Sequence, residues 1–487
     1  MINVKIVGLI AIVCCCTYAT AQMNSYSAGA TPAESESPTA TSPTPMPSGG
    51  QESPFLGGVP PGPPAPGVLS LSIAGAIQRG LRYNLGLLLS QQGTEAARGA
   101  RLKALSRLLP NVSAGTSETS EQINLKALGF PNFPGVPPII GPFGVFDVRG
   151  YLDQPILDLK DLHDARAQSA NLKAARYTYQ DARDIVVLVS ANLYLQAVAG
   201  ESRVDATQAE VKTAQAVYDR AVDMRKAGVV PGIDVLRSQV ELESQRQRLI
   251  FLQNQFQTEK LDLARAIGLP VAQQFHLTDK VPYTPPPPIT LDQALGRALN
   301  SRADYQSAMA LVRAAESIKK AARSEALPSL NFHADYGDIG PSPGNSHGTY
   351  AVSANLKIPI FQGGKVRGDV LQADALLEQR ESQMKDLRNK IEYQVRKAFL
   401  DLQSSESQVS VAQNTVRLAH EQLKQAQDRF AAGVVNSLEV VQSEQAVAAA
   451  DENYIFSLYS YNVAKASLAR ALGLAEEAFK QMIGGKQ

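Results

Sequence analysis

The sequence carries the same long pattern of motifs twice. The pair Leu109-Pro110 recurs as Leu327-Pro328, in each case after a helical pattern and before alternating residues. Two further motifs recur in the same order, Ala-Gly-Val-Val at 227–230 and 432–435, and Ala-Arg-Ala-(Ile/Leu)-Gly-Leu at 264–269 and 469–474. Each copy is far longer than a solenoid repeat, whose period is about 20 to 50 residues. We therefore predict a duplicated domain.

The charge balance excludes one class of partner. The 487 residues include 47 Lys and Arg against 46 Asp and Glu, which gives a formal net charge of +1. Because nucleic-acid-binding domains carry a basic excess, we expect no nucleic-acid partner. The charged fraction of 19% is below the roughly 25% typical of soluble domains, and this suits closely packed helices.

No motif of the sequence predicts an enzyme. The five histidines are scattered and form no His-Glu-x-x-His motif for zinc; they are His163, His276, His333, His347 and His420. The three cysteines, Cys14, Cys15 and Cys16, lie together near the amino terminus. We expect no catalytic residue, no cofactor and no metal site.

The amino-terminal 68 residues are predicted to lie outside the repeats. Residues 1–21 are typical of a signal peptide, because Lys5 precedes an apolar run too short to span a bilayer and Ala19-Thr20-Ala21 fits a cleavage site. Residues 22–68 are rich in Pro, Ser, Thr and Gly, a composition that predicts a flexible segment.

Within each copy the periodicity changes from helical to strand. Apolar residues at i, i+3 and i+4 predict helices over about 72–108 and 290–326, which stop before Pro110 and Pro328. Strict alternation of apolar and polar residues then predicts a β-hairpin in each copy. The predicted strands cover 111–120 and 145–155 in the first copy, and 330–336 and 350–358 in the second.

Long helices follow each hairpin. Neither 159–226 nor 364–431 contains a proline, and at 1.5 Å per residue each is predicted to be a rod of about 100 Å. Each ends at a glycine, Gly228 or Gly433, as expected just past a helix end. A shorter helix then returns with apolar residues at every seventh position, the pattern of a coiled-coil seam. These residues are Val235, Leu242, Leu249, Phe256 and Leu263, and Val440, Val447, Tyr454, Tyr461 and Leu468.

The predicted fold is mainly α with a small β part. The domain boundaries are a signal peptide at 1–21, a flexible segment at 22–68, a first repeat at 69–275, a Pro-rich linker at 276–289, a second repeat at 290–475 and a tail at 476–487.

Four strands cannot close a barrel alone, because the smallest filled barrels have about eight. The chain after residue 21 has no uninterrupted apolar run of 18 residues, from which we expect no membrane-spanning helix. Strands of about ten residues have the length needed to cross an outer membrane obliquely. We therefore predict a transmembrane barrel shared between identical subunits, and the strand count leaves two or three subunits open.

The order of these elements resembles the TolC-like outer membrane efflux proteins over about residues 69 to 475. The motifs that carry the resemblance are the run 429–433 followed by Ser437-Leu438-Glu439-Val440, and its partner at 228–235. The resemblance implies a homotrimer whose shared 12-stranded barrel lies in outer membrane lipid. It also implies a coiled-coil α-helical barrel that crosses the periplasm and docks to a periplasmic adaptor and an inner-membrane pump or ABC exporter.

Two carboxylates occupy equivalent places one turn past the glycines. By the resemblance, Asp234 and Glu439 fall where family members narrow the periplasmic entrance with acidic rings, which would favour cations. A structural role also explains them, because a carboxylate in the first turn complements the helix dipole and Asn436-x-x-Glu439 is similar to a capping box.

The turns themselves are predicted to bind the adaptor. In a rod-shaped body they are apolar tips in water, and such a patch indicates a binding surface. A simple helix reversal is the structural alternative. The residues concerned are Gly228, Val229, Val230, Gly433, Val434 and Val435.

A periplasmic coiled-coil adaptor or scaffold without a membrane-spanning barrel is the alternative function. Such an adaptor carries its β domains on both sides of one helical hairpin. Here the β elements lie inside each of two helical repeats, and this arrangement favours the export channel.

Overall fold

The computed structural model describes residues 53–477 apart from 128, 130–134, 281–282, 284 and 286–288. The predicted signal peptide, most of the segment 22–68 and nearly all of the tail lie outside the described residues. The helices are α1 (Ile73–Tyr83), α2 (Leu85–Ser106), α3 (Leu159–Lys226), α4 (Gly232–Ala266), α5 (Leu291–Ser301), α6 (Ala303–Ser324), α7 (Lys365–Ala431) and α8 (Ser437–Ala471). The strands are β1 (Leu69–Leu71), β2 (Asn111–Asn124), β3 (Ile139–Leu157), β4 (Phe275–Leu277), β5 (Ser329–Gly340) and β6 (His347–Lys357).

The first helix of each repeat is broken, which corrects the continuous helices predicted over 72–108 and 290–326. Asn84 separates α1 from α2 with ψ 130°, and Arg302 separates α5 from α6 with ψ 121°. Both side chains are buried and bonded. Asn84 Nδ2 donates to the carbonyl oxygens of Phe55 and Ala266 at 2.7 and 3.0 Å. Arg302 Nη1 donates to Gln394 Oε1 at 2.7 Å.

A glycine with positive φ packs against each break. Gly268 has φ 66° and Gly473 has φ 69°. A Cβ on Gly268 would overlap Tyr83, and a Cβ on Gly473 would lie 2.9 Å from the backbone nitrogen of Arg302. The repeated Ala-x-Gly-Leu motif therefore marks the place where the returning helix ends against the broken one.

The four long strands form one antiparallel sheet in the order β2-β3-β5-β6. The two hairpins, one from each repeat, are joined by the pairing of β3 with β5, in which Asp153 lies opposite His333. Strands β2 and β6 are the edges, and neither has a second strand partner within the described residues. One chain therefore does not close a barrel.

Four helices share a core near the glycine turns. Val217 and Met224 of α3, Val235 of α4, Phe430 of α7 and Val440 of α8 belong to one buried cluster. The predicted seam is confirmed along both returning helices, where its residues are buried or half-buried. The helices of both repeats consequently pack as one bundle in this region.

Part of the predicted flexible segment is folded. Phe55 packs against the cluster that contains Leu87 and Val186. The N–H of Val59 donates to the carbonyl of Tyr83 at 2.8 Å. Residues 53–59, called the strap below, therefore hold the break between α1 and α2, whereas composition predicted no ordered structure there.

One described helix is long and apolar enough to qualify as a membrane span. A window of 18 residues in α3 has a mean hydropathy of 1.4, and half of that window is buried in the fold. This corrects the expectation that composition excludes such a helix. The buried residues Val186, Val187 and Tyr194 pack against other elements of the bundle, as in the core helix of a folded domain.

Candidate functional site

The two glycine turns have the same backbone geometry. Gly228 and Gly433 have φ 74° and 73°. The N–H of Val229 donates to the carbonyl of Met224 at 2.9 Å, and the N–H of Val434 donates to that of Arg429 at 3.0 Å. These bonds satisfy carbonyls left free at the helix ends. The chain thus reverses direction from α3 to α4 and from α7 to α8 in the same way.

The valines of the turns divide into exposed and packed residues. Val229 and Val434 are 59% and 69% exposed. Val230 and Val435 are half-buried and pack against the core shared by the four helices. Val229 Cγ1 lies 4.0 Å from the position that a Cβ on Gly433 would take. The two turns are therefore neighbours, and together Val229 and Val434 form an exposed apolar surface, called the tip surface below.

Asp234 is buried between the two repeats. It is only 3% exposed, and its Oδ1 accepts a hydrogen bond from Ser437 Oγ at 2.8 Å. Arg237 Nη1 lies 3.5 Å from the same oxygen. Sequence reasoning did not find the Ser437 bond, although Ser437 opens the second-repeat motif. In the single chain Asp234 links the starts of α4 and α8.

Glu439 has a different environment from its counterpart Asp234. Its Oε1 lies 2.6 Å from Arg429 Nη1, and its side chain is 37% exposed. The side chain of Asn436 accepts from the N–H of Leu438 at 3.2 Å and so caps α8. Glu439 therefore pairs across the turn with α7, and the structure brings both predicted carboxylates to the same end of the bundle.

One face of the four-stranded sheet is apolar and exposed. Directly opposite residues of antiparallel strands share a face, and the register places Tyr336 opposite Tyr350 and Leu330 opposite Leu356. The exposed apolar residues of this face are Val112, Val148, Tyr336, Tyr350, Val352 and Leu356. Such a face is suited to contact with lipid hydrocarbon.

The other face is polar and carries side-chain contacts between strands. Arg149 Nη1 donates to Asp335 Oδ1 at 2.9 Å, and His333 Nδ1 lies 2.7 Å from Asp153 Oδ1. Sequence reasoning treated His333 as an isolated residue, because only the register of β3 against β5 brings it to Asp153. Within the described ranges no group of three or more His, Cys, Asp or Glu is arranged to hold a metal ion.

Comparison with known proteins identifies the family. The family model described as outer membrane efflux protein matches residues 81–269 and 294–474. The pyoverdine export outer membrane protein OpmQ of Pseudomonas aeruginosa is 24% identical over 330 residues, which cover 66% of this chain and 68% of that protein. The alkaline protease secretion protein AprF of the same organism is 23% identical over 343 residues, which cover 68% and 70% of the two chains.

The fold is also that of a solved channel. The crystal structure of the Campylobacter jejuni CmeC outer membrane channel aligns with a TM-score of 0.73 at 17% identity and covers 90% of this chain and 97% of that one. The resemblance drawn from the sequence is thereby confirmed, as is the mainly α fold with a small β part. This chain belongs to the outer membrane efflux protein family and is an outer-membrane export channel.

Proposed function

We propose that three copies of the chain form one continuous conduit, with a 12-stranded barrel in outer membrane lipid and a coiled-coil helical tunnel in the periplasm. The observation that carries this proposal is the open sheet, which has one apolar face, one polar face and two free edges, β2 and β6. A sheet edge in hydrocarbon leaves backbone groups unsatisfied, so a spanning sheet must be closed. Three sheets of four strands joined edge to edge give a closed barrel.

The two faces support an assignment of sides. The apolar face with Tyr350 and Leu356 would contact lipid, and the polar face with Arg149 and Asp153 would line the export path. This alternation is the pattern of transmembrane barrels whose interior is filled with water.

The tip surface is the proposed contact with a periplasmic adaptor, which connects the channel to an inner-membrane pump or ABC exporter. Val229 and Val434 are exposed side by side, and burial of apolar area against a partner would remove them from water. Gly228, Gly433, Val230 and Val435 support this surface by forming the turns beneath it.

Asp234 and Glu439 are the proposed acidic residues of the periplasmic entrance. Glu439 is partly exposed, whereas Asp234 is bonded to Ser437 and would reach the export path only when the helix starts separate. The proposed cargo is a small molecule or a protein, in keeping with relatives named for pyoverdine export and for alkaline protease secretion.

Assembly is tested by cysteine scanning of the edges. Each variant chain carries two cysteines, one at Ser113 or Ser117 of β2 and one at Thr349 or Ser353 of β6. The variants are purified from membranes. Edge-to-edge assembly predicts a ladder of cross-linked dimers and trimers, together with a trimer that changes mobility on heating. The matched control pairs two cysteines on the central strand β5, which should not cross-link between chains.

Conductance in planar bilayers then tests the channel itself. Stepwise currents from the cross-linked trimer would support the conduit. A soluble monomer without heat-dependent mobility and without current would contradict it and would favour the scaffold alternative.

A further inference from the structure

A cavity of about 130 Å³ lies between the four helices of the bundle, and its polar lining residues lie roughly 10 to 25 Å along the helices from the turns. Each of α3, α4, α7 and α8 contributes side chains to its wall. The polar residues among them are Glu210, Thr213, Gln245, His420, Glu444 and Asp451. Glu444 lies about 10 Å along α8 from its first residue, Ser437, at 1.5 Å per residue. The wall of the cavity therefore comes from both helical hairpins.

Glu444 is a buried carboxyl group without a hydrogen-bond partner. It is 8% exposed, and neither of its oxygens is bonded within the described part of the chain. Its neighbour Glu241 is equally buried, at 6% exposed, but accepts hydrogen bonds from Gln245 Nε2 at 2.8 Å and Gln445 Nε2 at 3.1 Å. Two amide donors stabilise a negative charge on Glu241 and none stabilises one on Glu444. Burial without a hydrogen-bond donor therefore favours the protonated form of Glu444.

The free atoms of the cavity are acceptors. Glu210 Oε2 and Gln245 Oε1 are buried and unbonded, as are both oxygens of Glu444. A protonated Glu444 supplies an O–H donor to this acceptor-rich space, whereas an ionised one adds a second charge near Glu241. Burial, followed by the charge of Glu241, raises the pKa of Glu444 to about 7.

The other charged groups do not neutralise an ionised Glu444. On α7, His420 Nε2 lies 3.6 Å from Asp451 Oδ2 of α8. On α4, Arg248 is bonded to Glu452 at 2.6 Å. On α3, burial raises the pKa of Glu210, an effect that the charge of Arg248 opposes. His420 at the cavity and Arg248 near it thus each already contact a carboxylate of α8.

We propose that Glu444 is a proton-controlled joint between the two helical hairpins. When Glu444 is protonated, α3 and α4 pack closely against α7 and α8. When it ionises, repulsion from Glu241 and Glu210 separates the hairpins at the tip surface. The consequence for the periplasmic entrance rests on the proposed function, but the movement within one chain does not. The first repeat carries Gln239 at the position equivalent to Glu444, so only the second hairpin has an ionisable side chain at this position.

Spin labels on cysteines at Val229 and Val434 measure the separation directly, because both residues are exposed and adjacent. The distance is recorded in the detergent-solubilised full chain from pH 5.5 to pH 8.5. The joint predicts a short distance at low pH and a longer, broader distribution above neutral pH. Glu444→Gln should keep the short distance throughout, and Glu241→Gln should move the transition to lower pH because the repelling charge is gone.

Two control variants distinguish the effect of Glu444 on the distance from the effects of other ionisable side chains. Glu421→Gln removes an exposed carboxylate of α7, and His420→Gln removes the imidazole that lines the cavity. Both should retain the transition. A wild-type distance that does not change with pH, a Glu444→Gln chain that behaves as the wild type, or a transition lost in His420→Gln would each overturn the proposal.

Conductance distinguishes failure of the joint from failure of the conduit. If stepwise currents form and rise with the pH of the periplasmic side only when Glu444 is present, the joint controls the entrance. Currents of the same size at every pH overturn that control while the proposed conduit stands. An absence of current overturns the conduit alone, because the spin-label distances still report the joint.

Discussion

Ser437 Oγ donates a hydrogen bond of 2.8 Å to Asp234 Oδ1, so the second repeat is fastened to the first at the starts of their returning helices. Both residues are almost fully buried, Ser437 at 0% and Asp234 at 3% exposed. Loss of a donor to a buried acceptor costs about 1–3 kcal/mol. We expect Ser437→Ala to destabilise the tips, which hydrogen exchange of the peptides around 227–240 and 432–443 would detect as faster exchange.

The matched control for this change is Ser443→Ala. Ser443 is as deeply buried, at 1% exposed, but its hydroxyl donates to the carbonyl of Glu439 within the same helix. Equal acceleration of exchange in both variants would show that loss of any buried hydroxyl suffices and that the link between the repeats has no special role.

Replacement of Glu439 should change ion preference more than stability. Its ion pair with Arg429 is partly exposed on both sides, 37% and 55%, and such pairs contribute about 1 kcal/mol or less. Under the proposed entrance role, Glu439→Gln lowers the preference for cations, seen as a shift in reversal potential under a salt gradient. Glu452→Gln, an exposed carboxylate farther along α8, is the control; an equal shift there would remove the special role of position 439.

The strap can be tested at a glycine that it covers. A Cβ on Gly86 would overlap the ring of Phe55, whereas a Cβ on Gly93 of the same helix would meet nothing within 4 Å. We expect Gly86→Ala to displace Phe55 and to expose the strap to limited proteolysis. Gly93→Ala should leave the strap protected and stabilise α2 by about 0.5–1 kcal/mol. A strap cleaved at the same rate in all three chains would refute this contact.

Glu325 connects the starts of both long helices at the other end of the bundle. It contacts Lys365 of α7 and lies 3.2 Å from Lys160 of α3. The hydrogen bond with Lys365, followed by that with Lys160, holds the pKa of Glu325 below its ordinary value of 4.5. Because the pKa is lower in the folded state, the stabilisation is present above about pH 4.5 and is lost as the pH falls below that value.

Glu325→Gln should therefore lower the unfolding temperature at pH 7 and reduce the further loss on acidification. Glu316→Gln, an exposed residue of α6, the helix that ends just before Glu325, should do neither. If the difference between the Glu325→Gln and wild-type unfolding temperatures is the same at pH 3 and pH 7, the ion pairs do not contribute as described.

The regular elements were predictable because their signals are local. Residues 159–226 and 364–431 contain no proline, and a glycine follows each range. These signals predicted two long helices, and the observed helices match them almost residue for residue. The breaks at Asn84 and Arg302 were missed because their cause is not local. Asn84 is held by carbonyls of Phe55 and Ala266, 29 and 182 residues away.

The candidate site shows the same division. The turns at Gly228 and Gly433 follow from short motifs, but the burial of Asp234 depends on Ser437 in the other repeat. The composition of residues 53–59 likewise predicted a flexible segment, and this prediction was wrong. The segment is rich in Pro and Gly, but it is ordered because the ring of Phe55 packs against the cluster that contains Leu87. The residue pattern of one segment does not show which residue of a distant segment will contact it in the folded chain.

The free strands β2 and β6 have a consequence for mixed populations of chains. In the proposed assembly, β6 of each subunit pairs with β2 of the next. One copy with a defective β6 therefore prevents the intact copies in the same assembly from closing a barrel. In a cell that makes both kinds, export capacity should then fall more steeply than the share of defective chains, so an edge-strand allele would be dominant over the normal one.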